Sequence, residues 1–268
     1  MDQPNEFFEQ ASPPPRLTKS QARAARRAEK ASTGGSGAPL TAKTDNQRRY
    51  IDRLKRGQSL FAIGPAGTGK TYLPARIAAR KLLDKQLDKF IIVRATVEPN
   101  KRHALGFKPG KQDDKLAPWM IPVLDGLRAE MSGVVLDKLK NEKRIEFAPF
   151  ESMRGRTFNN AILLIDEAQN LTTADLKLVL TRIGEDCQVI VTGDTEQTDI
   201  PDSGLARVVA MTRRHQIEMP VVVFDEDDVV RSAMTKAWVK AFAAEFGSTA
   251  AFLDDPPAFL QNGRLVPQ

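Results

Sequence analysis

The chain has 268 residues, 41% of them hydrophobic, with one cysteine and two histidines. That suffices for one α/β core with tails, and it excludes a disulfide framework and a cysteine- or histidine-based metal cluster. A mean hydropathy of −0.36 with no long apolar run excludes a membrane span, and MDQPNEFFEQ lacks the apolar core of a secretion signal, so a cytoplasmic setting is expected. The net charge of +6 invites a nucleic-acid reading. Residues 16–30, RLTKSQARAARRAEK, hold +5 of it, which leaves the rest nearly neutral.

In chain order, residues 1–40 read as a basic, flexible tail: a Pro run, the Ala/Arg stretch, then the linker composition ASTGGSGAP. Residues 41–246 read as one domain. Its strand candidates are SLFAI (59–63), FIIVR (90–94), IEFAP (145–149), AILLI (161–165), CQVIV (187–191) and PVVVF (220–224). Several are apolar throughout, as strands buried on both faces of a parallel sheet are. Between them, helical spacing links Leu116, Met120, Val123, Leu127 and Met131, then Leu176, Val179, Leu180 and Ile183, then Val230, Met234, Trp238 and Phe242. Trp119 and Trp238 are expected in the core, and Cys187 in a buried strand. Strands alternating with helices over this length predict a mostly parallel, doubly wound sheet flanked by helices. Residues 247–268 read as a C-terminal tail.

GPAGTGKT (64–71) follows the first strand and opens a helix, TYLPARIAARKLL. It fits G-x-x-x-x-G-K-[ST], and strand–loop–helix is the context that pattern requires. Gly64, Pro65, Ala66, Gly67, Thr68, Gly69, Lys70 and Thr71 are therefore expected to bind nucleotide. Backbone N–H groups would converge on phosphate, Lys70 would neutralise β/γ oxygens, and the Thr71 hydroxyl would ligate Mg²⁺. Pro74 costs little if its missing N–H falls within the first helical turn. ILLIDEAQN (162–170) places Asp166 and Glu167 at a strand's C-terminal end: Asp166 suits Mg²⁺, and Glu167 suits polarising an attacking water. VIVTGDTEQ (189–197) is another strand end, and Gln197 is a candidate γ-phosphate sensor. In TDNQRRY (44–50), Gln47 is a candidate reader of the adenine edge, with Tyr50 to stack.

GPAGTGKT, DEAQN and GDTEQ resemble motifs I, II and III of superfamily 1 helicases, and more closely the PhoH-like ATPases, relatives of the first RecA-like domain of those helicases. LGFKPG (105–110), APF–ESMRGRT (148–157), LTRIG (180–184) and VVRSAMTKAWVKAF (229–242) extend the resemblance over about residues 41–246. It implies a RecA-like P-loop NTPase core of the additional-strand class, with ATP and Mg²⁺ as cofactors, hydrolysis, and action on RNA or DNA. Carried over by position, Gln47 resembles the adenine reader, Lys70 and Thr71 the phosphate and metal residues, Asp166 and Glu167 the acidic pair, and Gln197 the sensor. The chain departs from the pattern at Arg94-Ala95-Thr96, at NKRHA before LGF and at Pro74. Its compact layout resembles bacteriophage-encoded members, which would place it in a host cytoplasm.

The 71 residues after Gln197 cannot hold a second RecA-like domain. A homo-oligomeric ring, a hexamer in the favoured reading, would then let a neighbour supply an arginine to each site. Arg231 is the first candidate, with Arg182, Arg154 and Arg156 behind it. KRHALGFKPGK (101–111) carries four Lys/Arg and no acid, so Lys101, Arg102, Phe107 and Lys108 are nucleic-acid candidates beside His103. The alternative function is a nucleotide-dependent switch that turns over slowly and acts on a protein partner.

Overall fold

The computed structural model describes residues 38–94, 120–195 and 197–246. The tails (save residues 38–40), Trp119, His103, Lys101, Arg102, Phe107 and Lys108 lie outside the described residues. Six strands form a single sheet: β1 (Leu60–Ile63), β2 (Lys89–Arg94), β3 (Ile145–Pro149), β4 (Ala161–Asp166), β5 (Cys187–Gly193) and β6 (Val221–Val223). All six expected strands form. Their order is β3-β2-β4-β5-β1-β6, and every pairing is parallel. β5 thus stands between β1, which leads into the Gly-rich loop, and β4, which ends in Asp166. That insertion is the additional strand of the expected RecA-like class.

The near-continuous apolar runs follow from covering both faces. Leu60, Ala62, Phe90, Ile92, Ile162, Leu164 and Ile190 point into one core. Helices α1 (Asp45–Lys55), α2 (Tyr72–Leu83), α3 (Ile121–Arg128) and α4 (Gly133–Asn141) pack there. Their strand neighbours Phe61, Ile63, Ile91, Val93, Leu163, Ile165 and Val191 point the other way, against α5 (Thr173–Leu180) and α6 (Leu205–Arg214). A period of two on each strand therefore fills two cores at once.

Pro74 is the third residue of α2, and the Leu73 N–H before it already donates to the Gly69 carbonyl at 3.0 Å, so the missing N–H is a helical donor and not a first-turn orphan. Its absence has a use. The Lys70 carbonyl, which a helical residue 74 would engage, instead accepts the Tyr50 hydroxyl at 2.8 Å. This bond pins α1 to the Gly-rich loop. Tyr50 is fully buried, meets Phe224 edge-on at 5.5 Å, and is held protonated by burial, with Asp166 adding to the effect. It therefore cannot stack on a base, contrary to the expectation above.

Two further expectations change. The helix read from Leu116 onward is described only as the short α3, with Met131 beyond its end. The last helix, α7, starts at Ala233, after Val230. Its Met234, Trp238 and Phe242 are 70, 60 and 57% exposed, with the two rings 5.9 Å apart. Trp238 is a surface residue. Helical spacing identified one face of α7 correctly, but no element of the described chain covers it.

Cys187 opens β5 half-buried, and burial raises its thiol to a pKa of about 11. Tyr50→Phe should lower unfolding stability by about 1 kcal/mol in urea denaturation, because the part-buried Lys70 carbonyl loses its donor. An unchanged midpoint would mean that this bond does not hold α1 to the loop.

Candidate nucleotide site

β1 delivers the chain into the loop with backbone that only glycine adopts easily. Gly64 has φ +148°, and a Cβ there would collide with the Phe224 carbonyl, where the chain leaves β6. Pro65 and Thr68 are buried and Ala66 is exposed. The Thr68 hydroxyl donates to the Pro65 carbonyl at 3.1 Å, which closes the turn on itself. The Lys70 ammonium reaches back to donate to the Gly64 carbonyl and, at 2.7 Å, to the Pro65 carbonyl. Burial pulls its pKa down, and the carboxylates of Asp194, Glu167 and Asp166 pull it back up. Anionic phosphate oxygens would act in the same upward sense.

Asp166 ends β4 only 3% exposed, and its carboxylate meets three side chains. Its Oδ1 accepts from the Thr71 hydroxyl at 2.8 Å and from the Thr192 hydroxyl, on β5, at 2.6 Å. Its Oδ2 meets Arg94, at the end of β2, at 3.3 Å. Arg94 and Asp166 are register partners across β2 and β4. The second guanidinium nitrogen of Arg94 lies 3.3 Å from Glu167 Oε1. Glu167 adopts a left-handed backbone, φ 55° and ψ 43°, which turns the chain sharply after the strand. A non-glycine residue held there costs about 1–3 kcal/mol, and such strain gathers at functional sites.

Gln169 is a site residue that sequence reasoning passed over. It is 2% exposed. Its Nε2 donates to Glu167 Oε2 at 2.5 Å and to the Gln197 carbonyl at 3.3 Å, while its Oε1 accepts from the Asp194 N–H at 3.0 Å. One buried amide thereby joins the second motif to the third. Its signal was its place within DEAQN, yet an amide in a strand-end loop reads as solvated until its partners are known. Arg94 was likewise noted only as a departure from a family pattern. Gln197 itself is exposed.

Gln47 is buried on the other side of the loop. Thr44 caps α1 through the Gln47 N–H at 3.2 Å, the Gln47 Oε1 accepts from the Lys43 N–H at 2.9 Å, and its Nε2 donates to the Thr68 carbonyl at 3.0 Å. Arg231 is exposed and lies against Gly67 of its own loop. Arg156 forms a bidentate pair with Glu146, at 2.6 and 2.8 Å, on the distant edge strand β3. Arg154 is exposed, and Arg182 is half-buried just beyond α5.

Among the described residues, no group of three or more His, Cys, Asp or Glu side chains is placed to hold an ion alone. The hydroxyl of Thr71 and the carboxylate of Asp166 are hard oxygen donors in mutual contact. They suit Mg²⁺, which keeps waters and takes further oxygens from substrate phosphates. A Gly-rich loop between a buried strand and a helix, its Thr bonded to a strand-end Asp that precedes a Glu, defines a P-loop NTPase of the additional-strand class.

The chain belongs to the PhoH-like family, whose model, described as "PhoH-like protein", matches residues 39–243. The start of that match agrees with the structure, in which the Ala38 carbonyl accepts from Arg76 and Leu40 packs on the core. The chain is 41% identical over 207 residues to a PhoH-like protein of Synechocystis, covering 76% of this chain and 62% of that one. It is 38% identical over 211 residues to Protein PhoH of Escherichia coli, covering 76% and 58%. The matched stretch thus spans about 60% of the length of such relatives. Among solved structures, a large terminase from bacteriophage D6E aligns with a TM-score of 0.44 at 10% identity, covering 81% of this chain and 52% of that one. The Pif1 helicase from Candida albicans aligns at 0.34 and 16%, covering 69% and 40%. Both likenesses are too distant to bear on activity.

Gln169→Ala should cost about 1–3 kcal/mol of stability, since the buried Asp194 N–H and the Glu167 carboxylate both lose a partner. Urea denaturation of the two proteins side by side reads this directly. Equal midpoints would show that the amide does not bridge the two strand ends.

Proposed function

We propose that the protein is a Mg²⁺-dependent ATPase whose turnover is coupled to RNA or DNA within a homo-oligomeric ring, with a hexamer as the favoured assembly. The observation that carries the ATPase part is the contact between Thr71 and Asp166 at 2.8 Å, with Glu167 next in the chain and Lys70 on the loop. Mg²⁺, when bound, supplies charge neutralisation on the β and γ oxygens. The chain's own residues do the rest. Loop N–H groups and Lys70 hold the phosphates, and Asp166 orients the Thr71 hydroxyl. Glu167, whose side chain is 37% exposed, is open to a water that it would orient and deprotonate. Gln169 links that carboxylate to the Gln197 loop, which gives γ-phosphate sensing a route to the water-activating group. Gln47, in contact with the loop, is proposed to read the adenine edge.

The ring is supported by α7, whose Met234, Trp238 and Phe242 make a continuous exposed apolar stripe of the kind that marks association surfaces. The nucleic-acid part rests on the family and on the basic stretch 101–111, with Lys101, Arg102, Phe107 and Lys108 as the proposed contacts. The slow-switch reading has one observation of its own: Arg94 and Gln169 both hold the Glu167 carboxylate, which would restrain water activation until polymer or partner displaces them.

Steady-state ATPase assays with Mg²⁺ separate these readings. Lys70→Ala should abolish turnover together with tight ATP binding. Glu167→Gln should lower kcat by at least about 10²-fold and still bind ATP. Wild-type turnover should rise with single-stranded RNA or DNA and lose that rise when Lys101, Arg102 and Lys108 are neutralised together. Negligible wild-type turnover with every polymer would favour the switch. Trp238→Asp should shift the assembly toward monomer in mass measurements, and an unchanged mass would remove α7 from the subunit contact.

A further inference from the structure

The Gly-rich loop has chemically different neighbours on its two flanks. β1, which carries the loop, lies between β5 and β6. On the β5 flank stand Thr192 and, one strand further, Asp166, followed by Glu167 and the Arg94 that holds both acids. Those groups suit the metal, the γ-phosphate and the attacking water.

The β6 flank is built otherwise. After β6 the chain runs beside the loop: the Phe224 N–H donates to the Ile63 carbonyl at 2.8 Å, and the Val230 N–H donates to the Gly67 carbonyl at 2.9 Å. The turn between them is tied by Asp225, whose carboxylate accepts the N–H groups of Asp227 and Asp228. The Asp228 carboxylate accepts from Asn46 at 2.8 Å, at the start of α1. The next residue, Gln47, donates to the Thr68 carbonyl. Two segments of the same chain, joined to each other, thus hold two successive loop carbonyls from outside. Arg231 emerges at the end of this wall. A Cβ built on Gly67, at φ +87°, would stand 2.8 Å from Arg231 Nε and 3.1 Å from its Cδ.

A nucleoside triphosphate lying on the loop has a reacting end and a nucleoside end. The reacting end faces Asp166 and Glu167, so the nucleoside must leave by the flank that Arg231 lines. We infer that Arg231 is a nucleotide-binding residue of its own chain, gripping the nucleoside monophosphate end, and not a transition-state arginine lent to a neighbouring subunit. A planar guanidinium suits either partner available there, the face of the base or the α-phosphate. The Val230–Gly67 bond fixes the backbone beside the chain's own loop, so the guanidinium lies first against the nucleotide of that loop. The inference rests on the nucleotide-site reading and replaces the expectation that Arg231 acts in trans.

The test uses the full chain and fluorescent analogues of ADP and ATP. Because both share the end that Arg231 is inferred to touch, Arg231→Ala should weaken both by a similar factor, about tenfold. Arg231→Lys, which keeps the charge without the planar group, should weaken both by less. In turnover assays of Arg231→Ala, KM should rise by more than kcat falls. Unchanged ADP affinity with kcat lowered by about 10³-fold or more would overturn the inference, since that is the signature of a transition-state arginine. So would recovery of ATPase on mixing Arg231→Ala chains with Lys70→Ala chains, which only delivery between subunits allows. A wild type that binds neither analogue would sink the nucleotide reading and this inference with it. A wild type that binds ADP without hydrolysing ATP would sink the ATPase reading alone, and the affinity comparison would still decide the role of Arg231.

Discussion

The carboxylate of Asp166 is the group around which the site is organised. It is almost wholly buried, and a buried charge is tolerated only where it is paired and hydrogen-bonded. Its partners come from three other places in the chain: Thr71 from the loop at the head of α2, Thr192 from β5 and Arg94 from β2. Removing one partner of such a group costs about 3–5 kcal/mol where the remaining charge goes uncompensated. The strand order that brings β2, β4 and β5 side by side, with the loop one strand beyond, is therefore coupled to the chemistry. The fold supplies the donors, and the donors make the burial of the acid affordable.

From that centre the loop is held by hydrogen bonds to its carbonyls and, at its entry, by the Gly64 N–H, which donates to the Gly193 carbonyl at 3.1 Å. Lys70 donates to Gly64 and Pro65, Gln47 to Thr68, Val230 to Gly67, and Tyr50 to the carbonyl that Pro74 cannot engage. A loop braced in this way is preorganised for phosphate, so little ordering cost remains at binding. Gln169 extends the bracing to the ends of β4 and β5. Its three bonds make Glu167, the Asp194 backbone and the Gln197 loop one mechanical unit.

The outer surface carries a different message. α7 is tied to the body through Asp227, which pairs with Lys236 and Lys240, and shows its apolar stripe to solvent. Family membership extends through this helix, to residue 243. The apolar stripe thus lies within the stretch that the family model matches and is exposed on the described chain.

All six strands, their burial on both faces, the loop and the Asp166–Glu167 pair were legible in the sequence, because each rests on local patterning. An apolar run marks a strand, glycines at fixed spacing mark the loop, and acids at the end of an apolar run mark a strand edge. What the sequence could not decide was which partners distant residues would find. Tyr50 read as an aromatic free to stack and is a buried brace, with its ring against Phe224 and its hydroxyl on the Lys70 carbonyl. Trp238 read as core and lies on the surface, because helical spacing defines a face but not what covers it. Arg94 and Gln169 read as a strand-end residue and a loop residue with no named partner. Strand order sets Arg94 beside Asp166, and the turn after β4 brings the Gln169 amide to the Asp194 backbone.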